Sequence, residues 1–449
     1  MLTLRKYYQL HIKHYIDAWH LRPIVAFIRK ILIPILYIRN AHHRRSQKQY
    51  VQSRIRALQS NLDHRKKTII ITTPWLIIGG VERVLLNIAK DINRGKFNVV
   101  IVTTGFNDHP WHDMFSKYAD GIIHLGKIYG HEIPSGRISA YICHIIESLQ
   151  PDILLTSNSI QTYKAIPKIK QACPEIKIVD ILHSFGTKGE NDAFLRRSYP
   201  YDKLIDRRIM ISEFLKDYYL SNYDVDKEHI QVIYNSIDTG QTIPRSLPNN
   251  FSKVAAKHDN IITYVGRLDF DKSPERLVEI ARQIQPQDNC ALVLVGDGTK
   301  SSQLKAVAKR GGVLDKTIYF LGSVNNPLGI MKQSKFTILV SDMEGMPMTM
   351  LESMSVGTPC IAPQVGGIPE IITNDKVGYL VDMKGADDKI KVDRFYHAIK
   401  TVIKLSPKEY ALMSKNAKKQ IDTRFRSMTQ QYNELFDELT GEGATNRRG

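Results

Sequence analysis

Two glutamates eight positions apart, Glu344 and Glu352, stand in the run SDMEGMPMTMLESMSVGTPCIAPQVGGIPEII. The apolar stretch Phe336 to Val340 before them reads as a strand, Gly345 permits a tight turn, and Pro347 suits the first position of a helix reaching about Val356. The amides of the first turn, around Met346, Met348, Thr349 and Met350, are then free for ligand oxygens. Glu344 falls in the turn and Glu352 about five residues inside the helix. Two carboxylates offset in this way suit hydroxyl recognition at two points of an extended ligand better than a shared-proton pair.

A second group is VGRLDFDKSPERL, where Gly266, Arg267 and Lys272 follow the strand-like run Ile261 to Val265. Open α/β sheets bind ligands beyond the carboxyl ends of their strands. Two cations there suit a diphosphate, Arg through its planar fork and Lys as a point charge. The competing reading is solvated surface charge beside Asp269, Asp271 and Glu275. A third group is PWLIIGG, between the strand Ile69 to Thr73 and the helical run VERVLLNIAKDI. Its glycines Gly79 and Gly80 allow close approach of a ligand to a helix N-terminus, although glycine pairs at such turns are often structural.

Alternating β-rich and amphipathic helical runs must position these residues, and they persist to the end of the chain. That alternation is the signature of α/β architecture with parallel sheets. The first series has strands at 69–73, 98–103, 121–125, 152–156, 176–182, 208–212 and 230–234. A run rich in Asn, Ser and Pro without apolar periodicity, Asn235 to Asn260, reads as a linker. The second series has strands at 261–265, 291–295, 317–321, 336–340, 360–362 and 379–381. The expected division is a basic, helical segment over 1–66, a first Rossmann-like domain over 67–245 and a second over 258–426. The final helix, about 427–440, returns to the first domain.

Composition agrees with a two-domain globular chain: 449 residues, 43% hydrophobic and 24% charged. Four scattered cysteines, Cys143, Cys173, Cys290 and Cys360, form no CxxC pair, so neither a disulfide framework nor a zinc site is indicated. The net charge of +18 is concentrated at the start, where Met1 to Lys66 carries fourteen Lys or Arg against two Asp. Within it Ile24 to Ile38 is strongly apolar, yet Arg29, Lys30 and Pro34 interrupt it and it is too short to span a bilayer. The favoured reading is an interfacial helix on an anionic membrane surface. The alternative is a basic helix packed on its own domain. Nucleic acid is not favoured, since no recognised reading module accompanies the charge.

The EGMPMTMLESMSVGTPCIA run resembles the E-x(7)-E signature of the retaining GT-B glycosyltransferases, in particular glycosyltransferase family 4. GGVERVLLNIA, VGRLDFDKSPERL and LVLVGDGT resemble that family's other motifs, in order, over about Ile69 to Phe436. The resemblance implies a GT-B fold, two Rossmann-like domains facing across a cleft. The donor, a nucleotide-sugar with UDP the favoured nucleotide, is then held mainly by the second domain and the acceptor by the first. It further implies that Arg267 and Lys272 bind the diphosphate, that Glu344 contacts the transferred sugar and Glu352 the ribose, and that Gly80 lets the first domain approach. His183 matches a histidine that reaches the donor sugar; its other reading is a loop histidine bonded to backbone. Retention through front-face attack, no cofactor and no essential metal are expected. The acceptor is expected to be a glycan or lipid-linked, and the location cytoplasmic and peripheral to the membrane. Ser273, Ser236 and Met346 depart from the usual glycine, glycine and aromatic residues. A nucleotide-sugar epimerase, a phosphorylase or a non-catalytic scaffold could share the fold.

Overall fold

A computed structural model of the chain describes residues 33–128, 131–184, 193–237 and 242–441. The first body is built on strands β1 (Lys67–Thr73), β2 (Phe97–Thr103), β3 (Gly121–His124), β6 (Ile153–Ser157), β7 (Lys177–Leu182), β8 (Arg207–Met210) and β9 (Ile230–Val232). They form one parallel sheet in the order β3-β2-β1-β6-β7-β8-β9. A small antiparallel hairpin, β4 (Lys127–Ile128) with β5 (His131–Glu132), follows β3. The second body has β10 (Asn260–Val265), β11 (Cys290–Val295), β12 (Ile318–Gly322), β13 (Phe336–Ile338), β14 (Cys360–Pro363) and β15 (Tyr379–Val381). They form a parallel sheet in the order β12-β11-β10-β13-β14-β15.

The cause lies in the strand sequences. Runs such as IIIT in β1 and ALVLV in β11 are apolar on both faces, and every residue from Ile69 to Thr73 and from Cys290 to Val295 is buried, as a helix-covered parallel sheet requires. Each sheet also reverses its strand order once. The reversal falls between β1 and β6 in the first and between β10 and β13 in the second. These two switch points, where a doubly wound sheet opens a crevice at its carboxyl edge, face each other and place the motif loops opposite one another. The expected pair of Rossmann-like α/β domains is therefore what the chain forms.

Three features differ from the sequence expectation. The stretch 235–260 is not all linker, because Asn249–Ala255 is a helix whose Phe251 and Val254 pack beneath the second sheet. At seven residues it offers too little periodicity to register in sequence. Pro347 is the N-cap rather than the first helical residue, with extended ψ of 117°, and the helix is Met348–Ser355. The β4–β5 hairpin was not anticipated, its strands being two residues each.

The basic leader is described only from residue 33, so residues 24–32 of its apolar run lie outside the described part. Ile33–Asn61 is one long helix. Val51, Ile55, Leu58 and Leu62 lie buried against the first sheet and the helix Ser135–Leu149. Arg54 donates to the Ile122 carbonyl at 2.9 Å, and Arg137 to Gln47 at 2.7 Å. This half of the leader therefore packs on its own domain. At the other end of the chain, Met428–Leu439 docks on the first body: Phe436 meets Phe97 edge-on, and Lys96 and Arg207 pair with Asp437 and Glu438. If the leader helix is part of this core, Ile55→Ala should cost about 2–5 kcal/mol in urea denaturation, as for other fully buried aliphatic side chains. A loss below about 0.5 kcal/mol, typical of a surface substitution, would contradict the packing.

Candidate functional site

A cleft of about 1870 Å³ runs between the carboxyl edges of the two sheets. Pockets for one small ligand commonly span about 300–1,000 Å³, so this one has room for two substrates. It brings together all the residues singled out from sequence: Gly79, Gly80 and His183 on the first side, Gly266, Arg267, Lys272, Gly345, Met346, Pro347, Met348, Thr349, Glu344 and Glu352 on the second.

The electrostatic centre is an ion pair. Lys272 ends a 3-10 turn after β10, and its Nζ donates to both oxygens of Glu344, at 2.9 and 3.0 Å. Ser341 adds a 2.7 Å bond to Oε1. Glu344 is only 7% exposed, and this charge partner and hydroxyl compensate its burial. A carboxylate has lone pairs beyond these three contacts and can still accept from a hydroxyl. Ser273, which follows Lys272 with φ of +48°, occupies a left-handed conformation that favours glycine. Its Oγ donates to Asp342 at 3.1 Å, which ties the turn down.

Arg267 lies at the rim, its guanidinium joined to Asp269 and Asp271 at 2.5 and 2.9 Å. The surface-charge reading thus describes its present contacts, while its side chain remains half exposed and within the cleft. Glu352 sits in the helix Met348–Ser355. Burial pushes its pKa up, and the charge of Arg83 across the cleft pulls it back down.

The two bodies touch where glycine is obligatory. A Cβ on Gly345 would overlap the His183 carbonyl oxygen, and one on Gly367 would overlap the Gly345 carbonyl and Ser212. His183 itself is 5% exposed; Ser157 Oγ lies 3.1 Å from its Nε2, and burial drives its pKa down to about 3. It is therefore a neutral imidazole. Gly80 lies beside Met348, where a Cβ would make ordinary contact at 3.6 Å, whereas a Cβ on Gly79 would strike Glu82.

Several cleft residues escaped the sequence reading. Asn235, 3% exposed, donates to the Met346 carbonyl at 3.2 Å, and the neighbouring Ser236 carbonyl accepts from Asn87 at 3.3 Å. This pair of bonds joins the domain connection to both bodies. Asn158 follows β6 with φ of +53° and lines the floor. Trp75, Glu82, Arg83 and Trp111 form the first-domain wall. Inside GGVER, Glu82 carries only the signal of an acid in a first helical turn, which is ordinarily a dipole complement. Here it is 5% exposed, and desolvation raises its pKa to about 7 despite hydrogen bonds from its own amide and the Trp75 indole. Among the described residues, no group of three or more His, Cys, Asp or Glu is arranged to hold a metal ion.

Two facing Rossmann-like bodies, with both switch points opening on one cleft, define the GT-B architecture. A solved structure of Anabaena HepE in complex with UDP and glucose has this fold, with a TM-score of 0.66 at 19% identity over 83% of this chain and all of that one. WaaG, a glycosyltransferase involved in lipopolysaccharide biosynthesis, matches with a TM-score of 0.63 at 15% identity over 82% of this chain and 99% of its own. Residues 78–241 match the model for Glycosyltransferase Family 4, and residues 248–420 that for Glycosyl transferases group 1. The chain belongs to this glycosyltransferase family. Among curated relatives, an Escherichia coli UDP-Gal:alpha-D-GlcNAc-diphosphoundecaprenol alpha-1,3-galactosyltransferase is 27% identical over 55% of this chain and 65% of its own length. The Bacillus anthracis N-acetyl-alpha-D-glucosaminyl L-malate synthase is 28% identical over 34% of this chain and 40% of its own. The matched region thus spans under two thirds of either relative.

Glu82 gives a prediction independent of function. Its pKa is raised on folding from 4.5 to about 7, so its contribution to stability is complete below pH 4.5 and is lost as pH rises through 7. Relative to wild type, Glu82→Gln should gain about 3 kcal/mol between pH 4.5 and 8 in denaturation experiments. A stability difference that does not change with pH would contradict the buried carboxyl.

Proposed function

We propose that this chain transfers a sugar, with retention of anomeric configuration, from a nucleotide-diphosphate sugar, UDP the favoured nucleotide, to a glycan or lipid-linked acceptor. The carrying observation is the Lys272–Glu344 pair, set at the switch point of the second sheet beside the helix start Met346–Thr349. Family membership and the printed activities of the relatives support the same reading. Lys272 and Arg267 would meet the diphosphate and stabilise the charge that grows on it as the glycosidic bond breaks. Arg267 would exchange its two aspartates for phosphate oxygens. Glu344 would accept from hydroxyls of the transferred sugar, Glu352 from the ribose, and neutral His183 would face the sugar from the first domain.

The reaction then breaks the anomeric C–O bond to phosphate and forms one to the acceptor oxygen on the same face. The acceptor proton passes to the departing phosphate. The motif carboxylates leave no obvious covalent nucleophile: Glu344 is engaged by Lys272 and Ser341. No cofactor or metal is required on this account, because two side-chain cations and helix amides handle the diphosphate.

Lys272→Ala and Glu344→Ala should each lower transfer by about 10²–10³-fold while the melting temperature shows the protein still folded. Unchanged turnover in both would defeat the assignment. Excess EDTA should leave the rate unchanged, and a loss restored by a divalent cation would contradict the metal-free account. Incubation with donor alone should yield no epimer, whereas an epimerised donor would favour the epimerase reading.

The same proposal places the chain at an anionic membrane surface, with the basic leader as contact. No helix among the described residues is long and apolar enough to cross a membrane. Because 47–62 belongs to the folded core, the informative truncation removes residues 1–32 alone. It should weaken binding to phosphatidylglycerol vesicles and leave UDP affinity intact. Equal vesicle binding with and without those residues would end the membrane proposal.

A further inference from the structure

Outside the cleft the two domains are joined a second time, through Glu370. The helix Glu213–Asn222 of the first domain follows β8, and its N-cap Ser212 is extended, with a hydroxyl that accepts from the Leu215 amide. The amides of Glu213 and Phe214, at the first two helical positions, have no acceptor within the helix. Both donate to a carboxylate of the other domain: Glu213 to Glu370 Oε2 and Phe214 to Glu370 Oε1, each at 2.9 Å. Each oxygen takes one amide, and the anion faces the positive end of the helix dipole.

The loop that carries Glu370 also backs the turn that carries Glu344. Gly366, with φ of +56°, lies so close to the Glu344 carbonyl that a Cβ would overlap it. The Gly367 amide donates to the Gly345 carbonyl at 3.0 Å, and Gly367 abuts Ser212. Gly345 in turn lies against the His183 carbonyl. A continuous path of backbone contacts thus runs from the first-domain helix through Glu370 to the Glu344 turn, and from that turn back to His183. Glu370 itself is not among the described residues that line the cleft.

Both chain crossings between the domains meet at this corner. Tyr234, just beyond β9 on the outgoing connection, packs edge-on against Phe425 at 5.5 Å between ring centroids. Phe425 ends the helix Pro407–Arg424 on the return to the first domain, and Arg424 donates to the Glu370 carbonyl at 3.0 Å. Hinge motions are absorbed by a few residues at the ends of elements. A carboxylate bonded across that point restricts the axis about which the domains can turn.

We propose that Glu370 is a positioning residue for sugar transfer: its carboxylate clasps the first-domain helix at the hinge and so holds Glu344 of the second domain in register with His183 of the first. It touches neither donor nor acceptor. Its bearing on transfer rests on the donor reading above, whereas the clasp itself exists without nucleotide.

The four native cysteines are buried. Spin labels at Lys164→Cys and Lys309→Cys, exposed positions on the helices Ile160–Ala172 and Ser301–Arg310, therefore report the interdomain distance of the full chain by pulsed electron paramagnetic resonance. Glu370→Ala should broaden the distance distribution, with and without UDP, while UDP affinity by calorimetry stays within about twofold of wild type. Glu370→Gln should fall between the two, because its one carbonyl oxygen serves only one of the two amides. Glu213→Pro deletes one donor at a helical position that tolerates proline, after an extended residue, and should broaden the distribution independently. Combined with Glu370→Ala it should add less than the sum of the two. With UDP-glucose, UDP-galactose and UDP-N-acetylglucosamine supplied together at saturation, UDP release by Glu370→Ala should fall at least about tenfold. Wild-type distributions in both Glu370→Ala and Glu213→Pro would overturn the proposal. So would a loss of UDP affinity at wild-type distances, which assigns Glu370 to the donor, or unchanged UDP release despite a broadened distribution. Failure of the wild type to bind UDP, or to release it from any of the three sugars, counts against the donor reading instead, and the distances measured without nucleotide still decide the clasp.

Discussion

Everything at this site depends on the closeness with which the two domains meet. At the base of the cleft the backbone of His183 presses on Gly345, and Gly345 in turn on Gly367, at separations that exclude any side chain at the two glycines. The contact fixes one boundary of the cleft. It brings the helix start Met346–Thr349 against the first domain's glycine loop, where Gly80 abuts Met348. Side-chain packing would tolerate small adjustments of such a joint, whereas carbonyl against Cα does not.

The ion pair of Lys272 with Glu344 gives this frame its chemical character. A buried carboxylate without a partner would cost more than it contributes, and here the lysine, Ser341 and the switch-point geometry compensate it together. The same arrangement keeps a cation and an acceptor-rich carboxylate side by side, matched to a ligand with phosphate next to hydroxyls. Across the cleft the charges differ in kind. His183 is held neutral and Glu82 is desolvated, both by burial.

Much of the architecture was legible in the residues. Strands buried on both faces advertise themselves as apolar runs, and all thirteen that were anticipated form, within a few residues at their ends. The motif loops could be placed because a parallel sheet puts ligand loops at its carboxyl edge, leaving little freedom for where Glu344 or Lys272 could go. What stayed hidden depends on tertiary context. The burial of Ile55 and Leu58 under a helix that reads as a basic leader is one case. Asn235 bridging to Met346 across 111 residues is another. Glu82 looks like a helix-capping acid until the loop that folds over it is known. The obligatory character of Gly345 and Gly367 likewise comes from a neighbour on another domain or a distant turn, which no local pattern encodes.

A crystal structure of the chain with UDP would show directly where a nucleotide diphosphate lies. The β-phosphate is expected within hydrogen-bonding distance of Lys272 Nζ and the Arg267 guanidinium, with both ribose hydroxyls on Glu352. A nucleotide bound on the first-domain wall, or one that leaves Lys272 paired with Glu344 alone and touches neither cation, would contradict it.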